Sequence, residues 1–283
     1  MTLPLKTGVT PTNAAVRAFE PKMVSLMRLL AFFAPALCFG VLASVACSSA
    51  QERVDYCRYG ERSSLFVIDR TTPYDETDQR VLLESAGAIV DALGVGDRLV
   101  VVTIGAHYSA SRTMFNACRP GCPETNNPLG DIATGCASMI ALRDDRSFRQ
   151  NLVAALRPLM QNSTNDTASD ITGTLVQATQ RPPAGRTFTS VNIFSDMLEN
   201  SRALSWGRFQ AQSVEESMSV VERYRLTPSL RGARVRMVGF GRLHDDMRTP
   251  LPPDLDQKIR DFWIAYFERG GASDVSFETI ITS

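Results

Sequence analysis

The chain has 283 residues, of which 44% are hydrophobic and 21% are charged, and its formal net charge is zero. This length and composition are typical of one globular domain with a sizeable core. No basic run is present that would follow a phosphate backbone, so a nucleic-acid partner is not expected.

The N-terminal region carries the pattern of an export signal. Residues 29–47 contain no charge, follow Arg28, and end in small side chains before a polar stretch. These features are typical of a signal segment that directs the rest of the chain out of the cytoplasm. We therefore divide the chain into an N-terminal extension with its signal, residues 1–50, and one body, residues 51–283.

Three fates are open for this signal. The sequence SVAC at residues 44–47 resembles a permissive bacterial lipobox, which would make Cys47 the lipidated first residue of the mature protein. Cleavage after Ala46 or Ala50 would release a soluble protein instead. The apolar run is also nearly long enough to remain as a membrane anchor. All three place the body in the periplasm or on the outer face of the cell envelope.

The body holds an even number of cysteines, namely Cys57, Cys118, Cys122 and Cys136. In an exported chain such a set predicts two disulfide bonds, and we favour Cys57–Cys118 with Cys122–Cys136. A zinc site is the alternative, because Cys118 and Cys122 are closely spaced. The zinc site is less favoured than the two disulfide bonds, because His107 and His244 are the only histidines and there is no second close cysteine pair.

The first half of the body alternates apolar runs with a helical period. A strand is predicted at residues 65–69, followed by a helix that ends near residue 93 and a buried strand at 98–106. A short edge strand near 113–117 comes next. It leads into a long loop that contains three of the cysteines.

The second half repeats this alternation. Helices are predicted at residues 148–160, 171–179, 214–224 and 255–267, and strands at 186–197, 233–241 and 274–280. Such alternation predicts an α/β fold of three layers, in which helices cover both faces of an open, mostly parallel sheet with one short antiparallel edge strand. The aromatic side chains Trp206, Phe262, Trp263 and Phe267 have the spacing of helix faces packed against that sheet.

Two aspartates stand at the ends of predicted strands. Asp69 ends the first strand, with Thr71 two residues later, and Asp196 ends a later one. Ligands of open parallel sheets bind at the carboxyl ends of the strands. Two carboxylates with nearby hydroxyls would form an all-oxygen site for a hard cation such as Mg²⁺. The residues alone leave open the alternative that both aspartates cap helices.

The order of elements and three motifs resemble a von Willebrand factor type A domain over nearly the whole body. The motifs are VIDRTTP after the first strand, ASDITGTL at the start of a mid-chain helix, and IFSDMLENS after the later strand. The resemblance implies a Rossmann-like fold with a metal-ion-dependent adhesion site. The implied ligands are Asp69, Thr71, Asp196 and Ser169, with Thr172 as the alternative to Ser169.

The resemblance also implies a cofactor and a partner. The cation would be Mg²⁺ or Mn²⁺, and it would complete its coordination with a carboxylate of another protein. Pro73 stands where the family has a third hydroxyl in the first loop, so the set lacks one usual ligand. We expect an exported, membrane-tethered protein-binding module that catalyses no reaction and binds no nucleotide.

A metal-dependent phosphohydrolase of the haloacid dehalogenase type is the alternative, because it too has an apolar strand followed by a nucleophilic aspartate. That class needs a second aspartate two residues later, where Thr71 stands, and a lysine in a later loop. Lys258 is the only lysine after the leader, and it lies within a predicted helix. A serine hydrolase is not expected, because neither histidine is placed as a base beside a nucleophile.

Overall fold

An open sheet forms the centre of the body. The computed structural model describes residues 54–71, 73–123, 136–161, 166–182, 185–241 and 249–278. Within these ranges the strands are β1 (Ser63–Asp69), β2 (Arg98–Ile104), β3 (Thr113–Cys118), β4 (Ser190–Phe194), β5 (Arg234–Val238) and β6 (Asp274–Glu278). Their order is β3-β2-β1-β4-β5-β6, and only the β2–β3 pair is antiparallel. The predicted fold class, including the antiparallel edge strand, is confirmed.

Helices cover this sheet on both faces. They are α1 (Glu76–Ala92), α2 (Ser138–Gln161), α3 (Ile171–Gln180), α4 (Trp206–Ala211), α5 (Val214–Arg223) and α6 (Pro253–Arg269). Helix α1 begins at a capping box, in which the Asp75 carboxylate accepts from the backbone of Asp78 and the Asp78 side chain accepts in return. Asp75 therefore serves as a helix cap.

Strands β2, β4 and β5 are shorter than predicted, and two helices differ from the sequence prediction. Helix α2 begins at Ser138, ten residues earlier than predicted, because its first turns expose apolar side chains such as Met139 and Leu142 and so have no buried stripe. Helix α4 was not predicted, because six residues are too few to establish a helical period.

The buried central strand separates two apolar clusters. Leu65 and Val67 of β1 face the cluster that includes α3, α5 and α6, whereas Phe66 and Ile68 face the cluster formed with α1 and α2. This is the alternation of side chains along a strand whose two faces are both covered. Phe262, Trp263 and Phe267 of α6 are fully buried in the first cluster, and Trp206 packs against it, as predicted.

Two disulfide bonds hold the region beside the edge strand. Cys57 is bonded to Cys118 at the end of β3, and Cys122 is bonded to Cys136. This is the pairing that we favoured from the sequence, and it leaves none of these four thiols for zinc. Disulfides of this kind fit a protein that folds in an extracellular or periplasmic compartment.

A close backbone contact lies next to the first bridge. A Cβ atom built on Gly60 would stand 2.0 Å from the backbone carbon of Gly96, which has a φ of +78°. Only glycine fits at both places, because one position lacks room and the other has left-handed backbone. The segment that leads into β1 is thereby held against the turn that leads into β2.

The part of the chain described by the structure contains no helix that is long and apolar enough to cross a membrane. The N-terminal extension and signal, with the lipidation candidate Cys47, lie outside the described residues. The chain separates into Met1–Gln51 and Glu52–Ser283, and every described residue belongs to the second unit.

Candidate functional site

The two strand-end aspartates lie at the same edge of the sheet. Strands β1 and β4 are parallel neighbours, and Ile68 of β1 pairs with Phe194 at the end of β4. Asp69 follows Ile68, and Ser195 and Asp196 follow Phe194. Asp69 is 0% exposed and Asp196 is 3% exposed. The topology therefore places two buried carboxylates at the carboxyl ends of adjacent strands.

Asp69 is the centre of a hydrogen-bond cluster. Its Oδ1 accepts from the backbone N–H of Thr71 at 2.9 Å and from the Thr71 hydroxyl at 2.6 Å. Its Oδ2 accepts from the Ser195 hydroxyl at 2.8 Å and from the Ser169 hydroxyl at 3.2 Å. We call these four residues and Asp196 the strand-end cluster. It brings Asp69, Thr71, Ser169 and Asp196 together, as expected from the sequence.

The charges in this cluster oppose each other. Burial raises the pKa of Asp69, and the nearby carboxylate of Asp196 raises it further, while the donors from Thr71 and Ser195 act in the opposite direction. A positive charge bound beside Asp69 would likewise lower its pKa and favour its ionised form.

Bonds from backbone N–H groups to the side chains of Ser195 and Asp196 shape the turn after β4. The Ser195 hydroxyl accepts from the N–H of Met197, and the Asp196 Oδ1 accepts from the N–H of Leu198 at 3.1 Å. Met197 has a φ of 63°, which is uncommon for a residue with a side chain. Its carbonyl accepts from the indole N–H of Trp263 at 2.9 Å, which fixes this turn to the buried face of α6.

The loop before α3 delivers Ser169. Ser169 and Asn200 exchange two backbone hydrogen bonds, of 3.1 Å and 2.9 Å, and form an isolated antiparallel bridge. The N–H of Asp166 donates to the carbonyl of Thr71 at 3.0 Å, so the first and second loops are also joined directly. Asp170 then caps α3 by accepting from the N–H of Gly173.

Thr172, the alternative to Ser169, is directed elsewhere. Its N–H donates to Glu199 Oε2 at 2.9 Å, and its hydroxyl lies 3.3 Å from Glu199 Oε1. Glu199 is 2% exposed, and burial raises its pKa to about 8. Of the two candidates from the second loop, Ser169 is therefore the one that contacts Asp69.

Two side chains near the site, Ser195 and Glu199, were not predicted from the sequence. Ser195 was missed because alternation along a strand puts the residue before Asp196 on the opposite face. The observed β4 ends at Phe194 rather than at the predicted residue 197, so alternation no longer applies there. The only sequence signal was a hydroxyl residue directly before the strand-end aspartate. Glu199 had no signal, because a buried glutamate cannot be distinguished from an exposed one by type.

The donor set of the cluster fits a hard cation. Each hydroxyl that donates its proton to Asp69 retains oxygen lone pairs, and all the side-chain ligands are oxygen, which Mg²⁺ prefers. Among the described residues, no group of three or more His, Cys, Asp and Glu side chains is placed to hold a metal. A cation at this cluster would be held by two carboxylates and by hydroxyl groups.

The described residues do not support the phosphohydrolase alternative. Both oxygens of Asp69 accept hydrogen bonds within the cluster, and Thr71 stands where that class has its second aspartate. The Lys258 amine donates to the Gln210 carbonyl and lies 5.7 Å from the ring centroid of Phe209. His107 is exposed, and its ring bonds with Ser109 in a turn, as expected for a loop residue.

No family model matches the sequence, and no curated protein matches it. Similar solved structures exist. A von Willebrand factor type A protein from Catenulispora acidiphila is 11% identical, with a TM-score of 0.39, over 78% of this chain and 39% of that one. Proximal thread matrix protein 1 of the mussel byssus is 11% identical, with a TM-score of 0.36, over 80% and 44%.

An uncharacterized membrane-spanning protein from Vibrio fischeri is 13% identical, with a TM-score of 0.24, over 76% of this chain and 91% of that one. The chain spans less than half the length of the first two structures. Similarities at this level carry no argument about activity or partner. The described sheet is open and mostly parallel, with one antiparallel edge strand, as expected from the sequence.

Proposed function

We propose that the protein is an exported, membrane-tethered module that binds another protein through the strand-end cluster. A Mg²⁺ or Mn²⁺ ion held by Asp69, Thr71, Ser169 and Asp196 would accept a carboxylate of the partner. The observation that carries this proposal is the meeting of two buried carboxylates and three hydroxyls at the ends of β1 and β4.

A bound cation would offset the electrostatic repulsion between the two carboxylates of the cluster. Burial and the nearby Asp196 carboxylate raise the pKa of Asp69, so a cation bound beside it would favour the ionised form of Asp69. With the cation bound, the hydroxyls continue to donate to Asp69 while their lone pairs face the ion. The ligand missing at Pro73 has a substitute in Ser195, whose hydroxyl already lies 2.8 Å from Asp69.

The module would act by recognition alone. A partner carboxylate on the cation is a directional, charge-matched contact, and it is lost when the cation is removed. The N-terminal extension would supply the tether, either through a lipid on Cys47 or through a retained apolar segment. Mass measurement of the mature protein, with Cys47→Ala as the comparison, distinguishes a lipidated chain from a cleaved or retained one.

Cation binding is tested by titration calorimetry with MgCl₂ and MnCl₂, supported by thermal unfolding. A cation at ten times its Kd stabilises the folded protein by about 1.4 kcal/mol through mass action. We expect both the binding heat and the stabilisation in the wild type and in Asp254→Asn, an exposed acid on α6 that serves as the control. Both should vanish in Asp69→Asn and Asp196→Asn.

Equal heats in the wild type and both cluster variants would rule out the cation site. Partner binding is then tested separately by capture from membrane extracts with the wild type and Asp69→Asn. We expect one protein to be retained by the wild type in Mg²⁺ and released by a chelator. Retention that is equal for both proteins and insensitive to the chelator would remove the strand-end cluster as the binding surface.

A further inference from the structure

A second candidate site lies on the sheet beside its antiparallel edge. It is a half-open cleft of about 670 Å³, within the usual range of ligand sites. Its floor is formed by Val100 and Val102 of β2, and one wall is the exposed side of α3. The turn after α5, residues 224–226, also lines the cleft.

Positive charge dominates this cleft. Arg112, Arg181 and Arg225 line it, and no acidic residue is among its lining residues. Arg112 donates to the carbonyls of Ser109 and Ser111. Within the described part of the chain, the guanidinium groups of Arg181 and Arg225 make no hydrogen bond or ion pair, and both side chains are exposed. We call this feature the arginine cleft.

Arg225 has a strained backbone conformation. Its φ of 55° lies in the left-handed region, where glycine is favoured at the end of a helix. The turn is fixed by hydrogen bonds from the N–H of Arg225 to the Glu222 carbonyl and from the N–H of Leu226 to the Val221 carbonyl. Glycine at this position would remove the strain of the left-handed backbone. Arginine keeps that strain and places a positive charge at the cleft.

Apolar and aromatic surface completes the lining. Val176, Ala178 and Leu226 join the valine floor, and the exposed rings of Tyr108 and Tyr224 flank the opening. An apolar floor would bury an aliphatic or aromatic side chain, whereas a sulfated saccharide has no such group to place there. The combination fits an extended peptide that carries both carboxylates and one hydrophobic side chain.

We infer that the arginine cleft is a second binding site, which takes an acidic peptide segment of a partner protein. The three arginines bind its carboxylates as forked hydrogen-bonded pairs, and the valine floor receives its hydrophobic side chain. No cation takes part, so this site is independent of the strand-end cluster. Chelators and Asp69→Asn should leave its affinity unchanged, which separates failure here from failure of the proposed function.

The test is fluorescence anisotropy of the full-length protein with a labelled hexapeptide of four glutamates around a central leucine–phenylalanine pair. Arg181→Ala combined with Arg225→Ala should weaken binding roughly tenfold, as expected for two exposed ion pairs. The control combines Arg80→Ala with Arg157→Ala, two exposed arginines outside the cleft that change the net charge equally. The control should bind like the wild type.

Three further measurements decide the outcome. A peptide with glutamine in place of glutamate should bind at least about tenfold more weakly, and Arg181→Glu with Arg225→Glu should favour a lysine peptide instead. Equal binding of the acidic and glutamine peptides, or equal loss in the cleft and control variants, would overturn the inference. Cleft-dependent binding of a heparin fragment without binding of the peptide would also overturn it, in favour of a saccharide.

Discussion

Glu199→Gln should stabilise the protein at neutral and mildly alkaline pH. The carboxyl group is 2% exposed, and burial is the largest cause that raises its pKa to about 8. The folded state therefore keeps a proton that the unfolded chain releases near its ordinary pKa of 4.5. Folding stability that is present below pH 4.5 is lost as the pH rises toward 8.

The magnitude follows from the two pKa values. At about 1.4 kcal/mol per pH unit, the difference between about 8 and 4.5 corresponds to roughly 5 kcal/mol, which we take as an upper value. Glutamine keeps the geometry, because its oxygen can accept from the N–H of Thr172 and its amide can donate to the Thr172 hydroxyl. Glutamine carries no charge at any pH, so its contribution to the free energy of unfolding does not change with pH.

The assay is urea unfolding of both proteins at pH 5, 6, 7 and 8, with the free energy of unfolding extrapolated to water. The free energy of unfolding of the variant minus that of the wild type should increase steadily with pH. Contributions from other titrating groups such as Asp69 are the same in both proteins and cancel in this difference. Glu84→Gln, at an exposed site on α1, is the matched control and should show a constant difference near zero. A constant difference for Glu199→Gln, or a less stable variant at pH 8, would refute a buried, protonated Glu199.

Two further predictions concern the region beside the edge strand. Replacing Cys57 by serine should lower the free energy of unfolding by about 4 kcal/mol, and replacing Cys122 by serine should lower it by about 3 kcal/mol. The reason is that the first bridge closes a loop of 61 residues and the second a loop of 14 residues. Denaturant titration measures both losses, and equal losses would argue against loop entropy as the cause. Gly60→Ala should destabilise by more than about 2 kcal/mol through its clash with the Gly96 backbone, whereas Gly207→Ala, with open space around it, should be neutral or slightly stabilising. A thermal scan that finds both alanine variants unchanged would contradict the close contact.

The fold was predictable because its signals are local. Apolar runs and helical periods mark β1, β2 and most helices, and the strand-end positions of Asp69 and Asp196 follow from them. The proximity of these two aspartates in space does not follow from local sequence patterns. It depends on β4 pairing with β1 rather than with β3. Local patterns contain no strand order, and only the resemblance, which assigns both aspartates to one site, implied that they meet.

The remaining site features depend on tertiary packing. Ser195 reaches Asp69 because β4 ends early, and Met197 then takes a positive φ that Trp263 helps to hold. The choice between Ser169 and Thr172 depends on a bridge to Asn200 and on a buried glutamate, both distant in sequence. The arginine cleft joins segments separated by up to 126 positions, so no local pattern could show it.

The Cys57–Cys118 bridge has a consequence for the order in which the chain acquires its structure. The bridge encloses β1, α1, β2 and β3, so this segment has all its internal partners once residue 118 has emerged. Strand β1 lacks its other neighbour until β4 follows more than seventy residues later. An apolar strand with an open edge is a site of wrong pairing between chains. A chain that ends before β4 therefore keeps this edge open even when the bridge has formed, and it should aggregate more readily than the complete body.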